Sequence, residues 1–250
     1  MSANRICEYL EWDSQFFERR IARANVSYLS DEVVAEINIW CRLHDVECLY
    51  FLASSADQRT VKLAQENAFR FVDVRVTLDL QRGKPCEGSD NRSGLRLRNA
   101  VESDIPALRA LARNGYRDSR FYYDGNFPSR QCDELYETWI ENSCRGWASN
   151  VLVAGEGEDV DGYLTCHLPN SGSGQIGLVG VSEKAQGKGI GKDLVSHAIG
   201  WFVRQGIEDI SVVTQGRNVR AQRLYQSCGF ATRSVELWFH RWFSETRKSE

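Results

Sequence analysis

Apolar positions in the first part of the chain follow two rhythms. From residue 31 to 44 they recur at Ile37, Trp40, Cys41 and His44, one face of a 3.6-residue helix. Ser30 stands where an N-cap belongs, and Asp31 and Glu32 suit the positive end of that helix's dipole. A continuous apolar run then predicts a strand over Cys48–Ser54, followed by a helix over 59–67 and a strand over 71–80.

The second part opens with a short strand at 95–98. A helix starts near Asp104, with Pro106 tolerated in its first turn, where a missing N–H costs nothing. Another helix covers 133–143, its apolar stripe running Leu135, Tyr136, Trp139 and Ile140, and that stripe reads chiefly as core. A hairpin joins 151–154 to 162–167 through a Gly/Asp-rich turn. Strand 175–182, helix 190–205, strand 209–214, helix 219–227 and strand 232–240 complete the pattern.

Between the two parts, QRGKPCEGSDNRSG at 81–94 has no apolar period and is rich in Gly, Ser and charge, which reads as a linker. The expected organisation is therefore a first domain at 1–80, a linker at 81–94, a larger domain at 95–243 and a charged tail at 244–250. The two parts look alike near their ends. Setting Phe69 against Phe230 places Leu63 opposite Leu224, Ala68 opposite Gly229 and Ala64 opposite Tyr225. This reads as a degenerate repeat in which the first copy lacks the hydroxyl that the second keeps.

Composition narrows the choice of function. The 250 residues are 42% hydrophobic and 26% charged, as in ordinary globular proteins. No run approaches the roughly 18 apolar residues that span a bilayer, and Met1 to Tyr9 lack the apolar core of a signal peptide. A cytoplasmic protein with no membrane partner is expected. Net charge is −3 with no basic face, which argues against nucleic acid as a partner. Eight cysteines are scattered without a CxxC, the pattern of small buried hydrophobes in a reducing compartment. A zinc reading of Cys41, His44 and Cys48 lacks a fourth ligand, so no metal is expected.

The strongest chemical signal is the segment QIGLVGVSEKAQGKGIGKDLVSHAIGWF. A strand runs into Gln186, Gly187, Lys188, Gly189, Ile190 and Gly191, and an amphipathic helix begins at once. Unpaired backbone N–H groups at a helix start form an anion site. Glycines at 187, 189 and 191 let the backbone come close to a pyrophosphate, and Lys188 and Lys192 add positive charge. A Gly-rich turn that only caps a helix would account for three glycines equally well. Asp193 after Lys192 breaks a P-loop's GK[ST] ending, and the GxGxxG order of a dinucleotide fold is missing.

Q-x-x-G-x-G after a strand is followed some thirty residues on by N-x-x-A-x-x-L-Y-x-x-x-G-F, formed by Asn218, Ala221, Leu224, Tyr225, Gly229 and Phe230. In that order and spacing, the pair resembles the GNAT acetyltransferase superfamily over roughly residues 95–243. The resemblance implies an α+β fold. Its central sheet would be mixed, mostly antiparallel and splayed between two strands, with a degenerate GNAT-like half preceding it. It also implies acetyl-CoA as cosubstrate. The pantetheine would pair with the strand edge at Leu178, Val179 and Val181, the pyrophosphate would sit on 186–191, and Asn218 would contact the coenzyme arm. The amine would attack the thioester directly, with the oxyanion met by a backbone N–H. Tyr225 would be the general acid that protonates the departing thiolate. Packing alone also explains Tyr225, since Ala221, Leu224, Tyr225 and Cys228 form a helical stripe. The general base stays open among Glu183, His167 and Glu236.

A narrower resemblance is to nucleotide-amino-sugar acetyltransferases of the dTDP-fucosamine type. It rests on EWDSQFF at 11–17, SRFYYDGNFP at 119–128 and LYETWIENSCRG at 135–146. It implies a small-molecule amine acceptor, a nucleotide-linked amino sugar used in cell-surface polysaccharide synthesis. Phe121, Tyr122, Tyr123 and Phe127 would stack on a base or sugar, and Arg120 and Arg130 would meet its diphosphate. Aromatics that cover core under a long loop give the same pattern. A peptide or antibiotic amine as acceptor, or a non-catalytic acyl-CoA-binding module, are the other classes consistent with the residues. A C-terminal strand edge would permit a homodimer.

Overall fold

A computed structural model describes residues 5–81, 83, 94, 96–113, 115–156, 159–169 and 172–243. Almost all of the expected linker and the whole expected tail lie outside these residues, as does Cys86. Among the described residues, no helix is long and apolar enough to cross a membrane.

The chain forms two compact units that do not follow its order. Unit 1 gathers residues 1–75, 119–131 and 235–250, and unit 2 gathers 76–118 and 132–234. Strands β4 (Arg70–Leu80) and β10 (Phe230–Trp242) each run from one unit into the other. A composition break marks a change in the chain, and only packing decides which segments share a core.

In unit 1, β1 (Cys7–Tyr9), α1 (Glu11–Phe17) and β2 (Ile21–Ala24) lead into α2 (Asp31–Leu43), β3 (Cys48–Ser54) and α3 (Gln58–Glu66). β1 pairs antiparallel with β2, and β2 pairs parallel with β3. β3 in turn pairs antiparallel with the end of β10, from Glu236↔Ser54 to Trp242↔Cys48. Helix α2 forms as its pattern demands. Val34, Ile37 and Cys41 are buried on one face, and the Ser30 hydroxyl accepts from the Val33 amide at 3.3 Å. That face packs with Leu49, Phe51, Phe69 and Phe239 into one core. His44, suggested as a metal ligand, stacks on Trp40 at 3.9 Å and meets its carbonyl oxygen through Nδ1 at 2.8 Å.

The short helix α5 (Arg120–Asp124) adds a second aromatic cluster to unit 1. Phe17 lies 5.3 Å from Phe121 and 4.5 Å from Phe127, ring centre to ring centre. Asp124 is fully buried and accepts from His240 Nδ1 and from Trp242 Nε1, the latter at 3.0 Å. Burial pushes the His240 imidazole down to about 4, so it is neutral at neutral pH and donates to Asp124.

In unit 2, β5 (Leu97–Asn99), β6 (Asn150–Glu156), β7 (Asp159–His167), β8 (Gly174–Val181) and β9 (Ile210–Gln215) form a run of paired strands. All pairs are antiparallel except β8 with β9, which is parallel. α4 (Ile105–Arg113) follows a 3₁₀ turn at Glu102–Asp104, and Asp104 is locked by Arg98 at 2.7 and 2.8 Å. Helix α6 (Ser129–Asn142) meets α4 through Arg109, which reaches Glu137 at 3.3 Å and Glu141 at 2.6 Å. α7 (Ile190–Arg204) buries Ile190, Leu194, Val195, Ala198 and Phe202. Phe202 alone, fully buried, contributes about 1.5–3 kcal/mol of apolar transfer. α8 (Val219–Ser227) precedes β10.

The expected elements recur within a few residues, with helix 219–227 and strand 48–54 matching at both ends. Four short ones had no periodic signal: β1, α1, β2 and α5. Each has at most seven residues, too few for a helical or alternating pattern to stand out.

Candidate active site

The site begins with a strand that loses its neighbour. β8 pairs with β9 only at Gly174↔Ile210, Gln175↔Ser211 and Ile176↔Val212. Beyond Ile176, β8 continues to Val181 and β9 to Gln215 without pairing, so the two part and a cleft opens. On its other side β8 stays on β7 through a bulge: Cys166 faces Ile176 and Leu164 faces Val179, leaving two β8 residues opposite one. Two glycines in β8 have steric reasons. A Cβ on Gly177 would lie 2.5 Å from His167 Nε2, and one on Gly180 would lie 2.5 Å from the Tyr163 ring.

The turn after β8 leads into α7 with two residues in the left-handed region, Gly187 at φ 80° and Gly189 at φ 88°. Gly189 is the N-cap, and it has no side chain to satisfy the first helical amides. Its carbonyl accepts from Lys192 at 2.9 Å and Asp193 at 3.0 Å. Among the described residues, the amides of 187–191 donate to no backbone carbonyl. Such a row of open N–H groups at a dipole's positive end binds anions. Gln186 steadies the turn, its Nε2 donating to the Val181 carbonyl at 3.2 Å. Gly191 also faces α8. A Cβ there would lie 3.2 Å from Leu224 Cδ2, so the glycine permits α7 and α8 to approach.

Asn218 caps α8, its Oδ1 accepting from the Ala221 amide at 3.0 Å. Two turns of helix then carry Tyr225 to the cleft. Tyr225 is only 4% exposed, with its ring 6.0 Å from Phe230. Burial, helped by nearby Cys228, pushes its phenol well above the usual range.

Strand parting, helix start and phenol share one cavity of about 1310 Å³ within unit 2. Leu178, Val179, Val181, Gln186, Gly187, Gly189, Ile190, Gly191, Lys192, Asn218 and Tyr225 all line it; Lys188 alone among the expected coenzyme contacts does not. Arg120, Phe121, Tyr123 and Arg130, expected to bind the acceptor, do not line it either. They belong to unit 1, where Phe121 is 2% exposed and the Arg120 guanidinium sits 4.2 Å above the Trp238 ring and 4.8 Å above Tyr50. Phe121 thus packs into a core under a short helix, whereas Tyr123 and Arg130 are exposed.

The cavity has a different aromatic wall. Tyr116 stacks on Tyr136 at 4.3 Å, Tyr136 meets Trp139 edge-on at 5.3 Å, and Trp147 completes the wall. The Tyr116 and Tyr163 hydroxyls are 2.9 Å apart. Tyr136 and Trp139 read from the sequence chiefly as core. Their i, i+3 spacing was visible, but a periodic stripe does not say that its far end borders a cavity. Of the three candidate bases, Glu183 and His167 line the cavity, whereas Glu236 pairs with Arg75 at 3.4 Å in unit 1.

Residues 112–230, which carry the parted strand pair and the Gly-rich helix start, match the model of the acetyltransferase (GNAT) family. The chain is 33% identical over 145 residues to a dTDP-fucosamine acetyltransferase from Escherichia coli O6:H1, covering 57% of this chain and 61% of that protein. It is also 36% identical over 196 residues to a mycothiol acetyltransferase from Renibacterium salmoninarum, covering 75% and 54%. The chain thus spans between about half and three fifths of the length of these relatives. In fold it resembles a GCN5-related N-acetyltransferase from Sphaerobacter thermophilus, with TM-score 0.66, 17% identity, and 94% and 76% of the two chains covered.

Proposed function

We propose that this chain is a cytoplasmic enzyme that moves the acetyl group of acetyl-CoA directly onto the amine of a nucleotide-linked amino sugar. The observation that carries the donor half is the meeting, in one cavity, of the unpaired β8 edge and the open amides at 187–191. The coenzyme would supply the activated acetyl as a thioester. The amides of 187–191 with Lys192 would hold its pyrophosphate, and the Val179 and Val181 backbone would pair with its amide-containing arm. With its oxygen accepting at the helix cap, Asn218 would offer its Nδ2 donors to the coenzyme arm.

Tyr225 lines the same cavity. A phenol pushed up by burial stays protonated at neutral pH, which suits a group that gives a proton to a leaving thiolate. The acceptor would lie against Tyr116, Tyr136 and Trp139, whose rings suit the face of a sugar or base. The similarity to the dTDP-fucosamine acetyltransferase supports the amino-sugar acceptor. A second reading, an amine of the mycothiol type, is favoured by the longer match to the Renibacterium salmoninarum protein.

Thiol release from acetyl-CoA, measured against dTDP- and UDP-amino sugars, desacetylated mycothiol, peptides and aminoglycosides, separates these. Turnover with a dTDP-amino sugar is expected. Turnover with peptides alone would overturn the sugar reading, and tight coenzyme binding without turnover on the whole panel would overturn the enzymatic one.

A further inference from the structure

Backbone N–H groups along a strand point alternately to its two edges. In β8, Gly174 donates to the Asp209 carbonyl at 2.8 Å, on the β9 edge. Alternation gives Ile176 the same direction and would give it to Leu178 as well. The bulge intervenes: the Leu178 N–H turns to β7, where the Thr165 hydroxyl receives it, at 2.8 Å. The next amide, of Val179, is thereby placed on the edge that lines the cavity.

Thr165 is fully buried, so its own hydroxyl hydrogen also needs an acceptor. His167 Nε2 lies 3.1 Å away, and His167 Nδ1 is 3.2 Å from the Trp147 carbonyl. Only one arrangement serves every atom: Nδ1–H donates to Trp147, Nε2 accepts from Thr165, and Thr165 accepts from Leu178. Burial lowers the His167 pKa, against the raising effect of the Trp147 carbonyl, which favours this neutral ring. The Trp147 carbonyl is delivered by a π turn, Ser143–Trp147, in which Gly146 takes φ 111°. Gly177 completes the fit, since any Cβ there would strike both side chains, at 2.5 and 2.6 Å.

We infer that Thr165 and His167 are positioning residues for acetyl transfer, a side-chain splint that holds the β8 bulge and so aims the Val179 amide into the cleft. This rests on the transfer reading above. It also removes His167 as a direct base, because its one free lone pair is engaged by Thr165.

The test uses the full chain with two readouts, hydrogen exchange of the Leu178 amide and steady-state transfer to dTDP-fucosamine. Thr165→Val should speed Leu178 exchange by on the order of tenfold or more. It should lower kcat about 10- to 100-fold, with KM for acetyl-CoA within about threefold. Thr165→Ser should restore both to near wild type. His167→Ala should shift both in the same direction, by less, and non-additively with Thr165→Val. Equal impairment in Thr165→Ser, or faster exchange with unchanged kcat, would overturn the inference. Should Thr165→Val not fold, His167→Ala decides: unchanged exchange and kcat sink the splint. A wild-type protein without turnover would sink the transfer reading instead, and Leu178 exchange would still judge the splint.

Discussion

The chain contains the run strand–helix–strand–helix–strand twice, as β2 to β4 and as β8 to β10. In each, the first two strands pair in parallel through three residues, Ile21 to Arg23 against β3 and Gly174 to Ile176 against β9. The second helices correspond residue for residue, Gln58–Glu66 with Val219–Ser227. Asp57 caps one through the Thr60 amide and Asn218 the other through the Ala221 amide, both at 3.0 Å. Each is followed by a residue in the left-handed region, Ala68 at φ 60° and Gly229 at φ 88°.

Against this shared frame, three differences separate a scaffold from a candidate catalyst. β2 ends one residue after its pairing, so no free edge is left, whereas β8 runs on for five. In the earlier run, α2 is closed by the Ser30 hydroxyl and carries Asp31 and Glu32 in its first turn, filling and repelling what an anion would occupy. In the later run, α7 has Gly189 and open amides. Where Tyr225 lines a cavity, Ala64 is fully buried. One fold carries both, and the chemistry depends on what the helix starts and strand ends leave unsatisfied.

Four substitutions test that contrast, from the largest expected effect to the smallest. Tyr225→Phe makes the second copy resemble the first at its phenol. It should lower kcat by on the order of 10²–10⁴ with coenzyme affinity by calorimetry nearly unchanged; an unaltered kcat would remove Tyr225 from the chemistry. Gly189→Val forces a branched side chain into a left-handed residue at about 1–3 kcal/mol. Coenzyme should then bind about 10- to 100-fold more weakly, and normal affinity would count against the anion site. Ser30→Ala opens the corresponding cap in unit 1, and chemical denaturation should show a loss of about 1 kcal/mol. Coenzyme affinity should hold, and a fall in it would mean that unit 1 is more than scaffold. Ala68→Gly relieves the strained residue that its counterpart avoids. It should raise stability by about 0.5–1 kcal/mol, visible as a higher Tm.

Legibility followed length and locality. The glycine turn, the Asn218 to Phe230 motif and the long helices were plain in the residues, because their physics is contained in a dozen neighbours or fewer. The repeat was visible for the same reason, from Phe69 against Phe230 backwards. The aromatic wall of the cavity was not, since Tyr116, Tyr136 and Trp147 come from separate stretches that line it only once the chain is packed. Nor was the role of Arg120 and Phe121, whose partners Tyr50 and Trp238 lie far off in the chain. The Thr165 hydroxyl bond to Leu178 depends on a bulge, which has no composition of its own.

Gly191 against Leu224 has a consequence for how such a protein can change. The helix whose start offers the amides and the helix that bears the phenol touch at a point where a single methyl group is missing. The reach between them is therefore gauged by one hydrogen atom. The aromatic wall lies on other elements, while the spacing between the Gly189 helix start and the Tyr225 phenol is held by this contact.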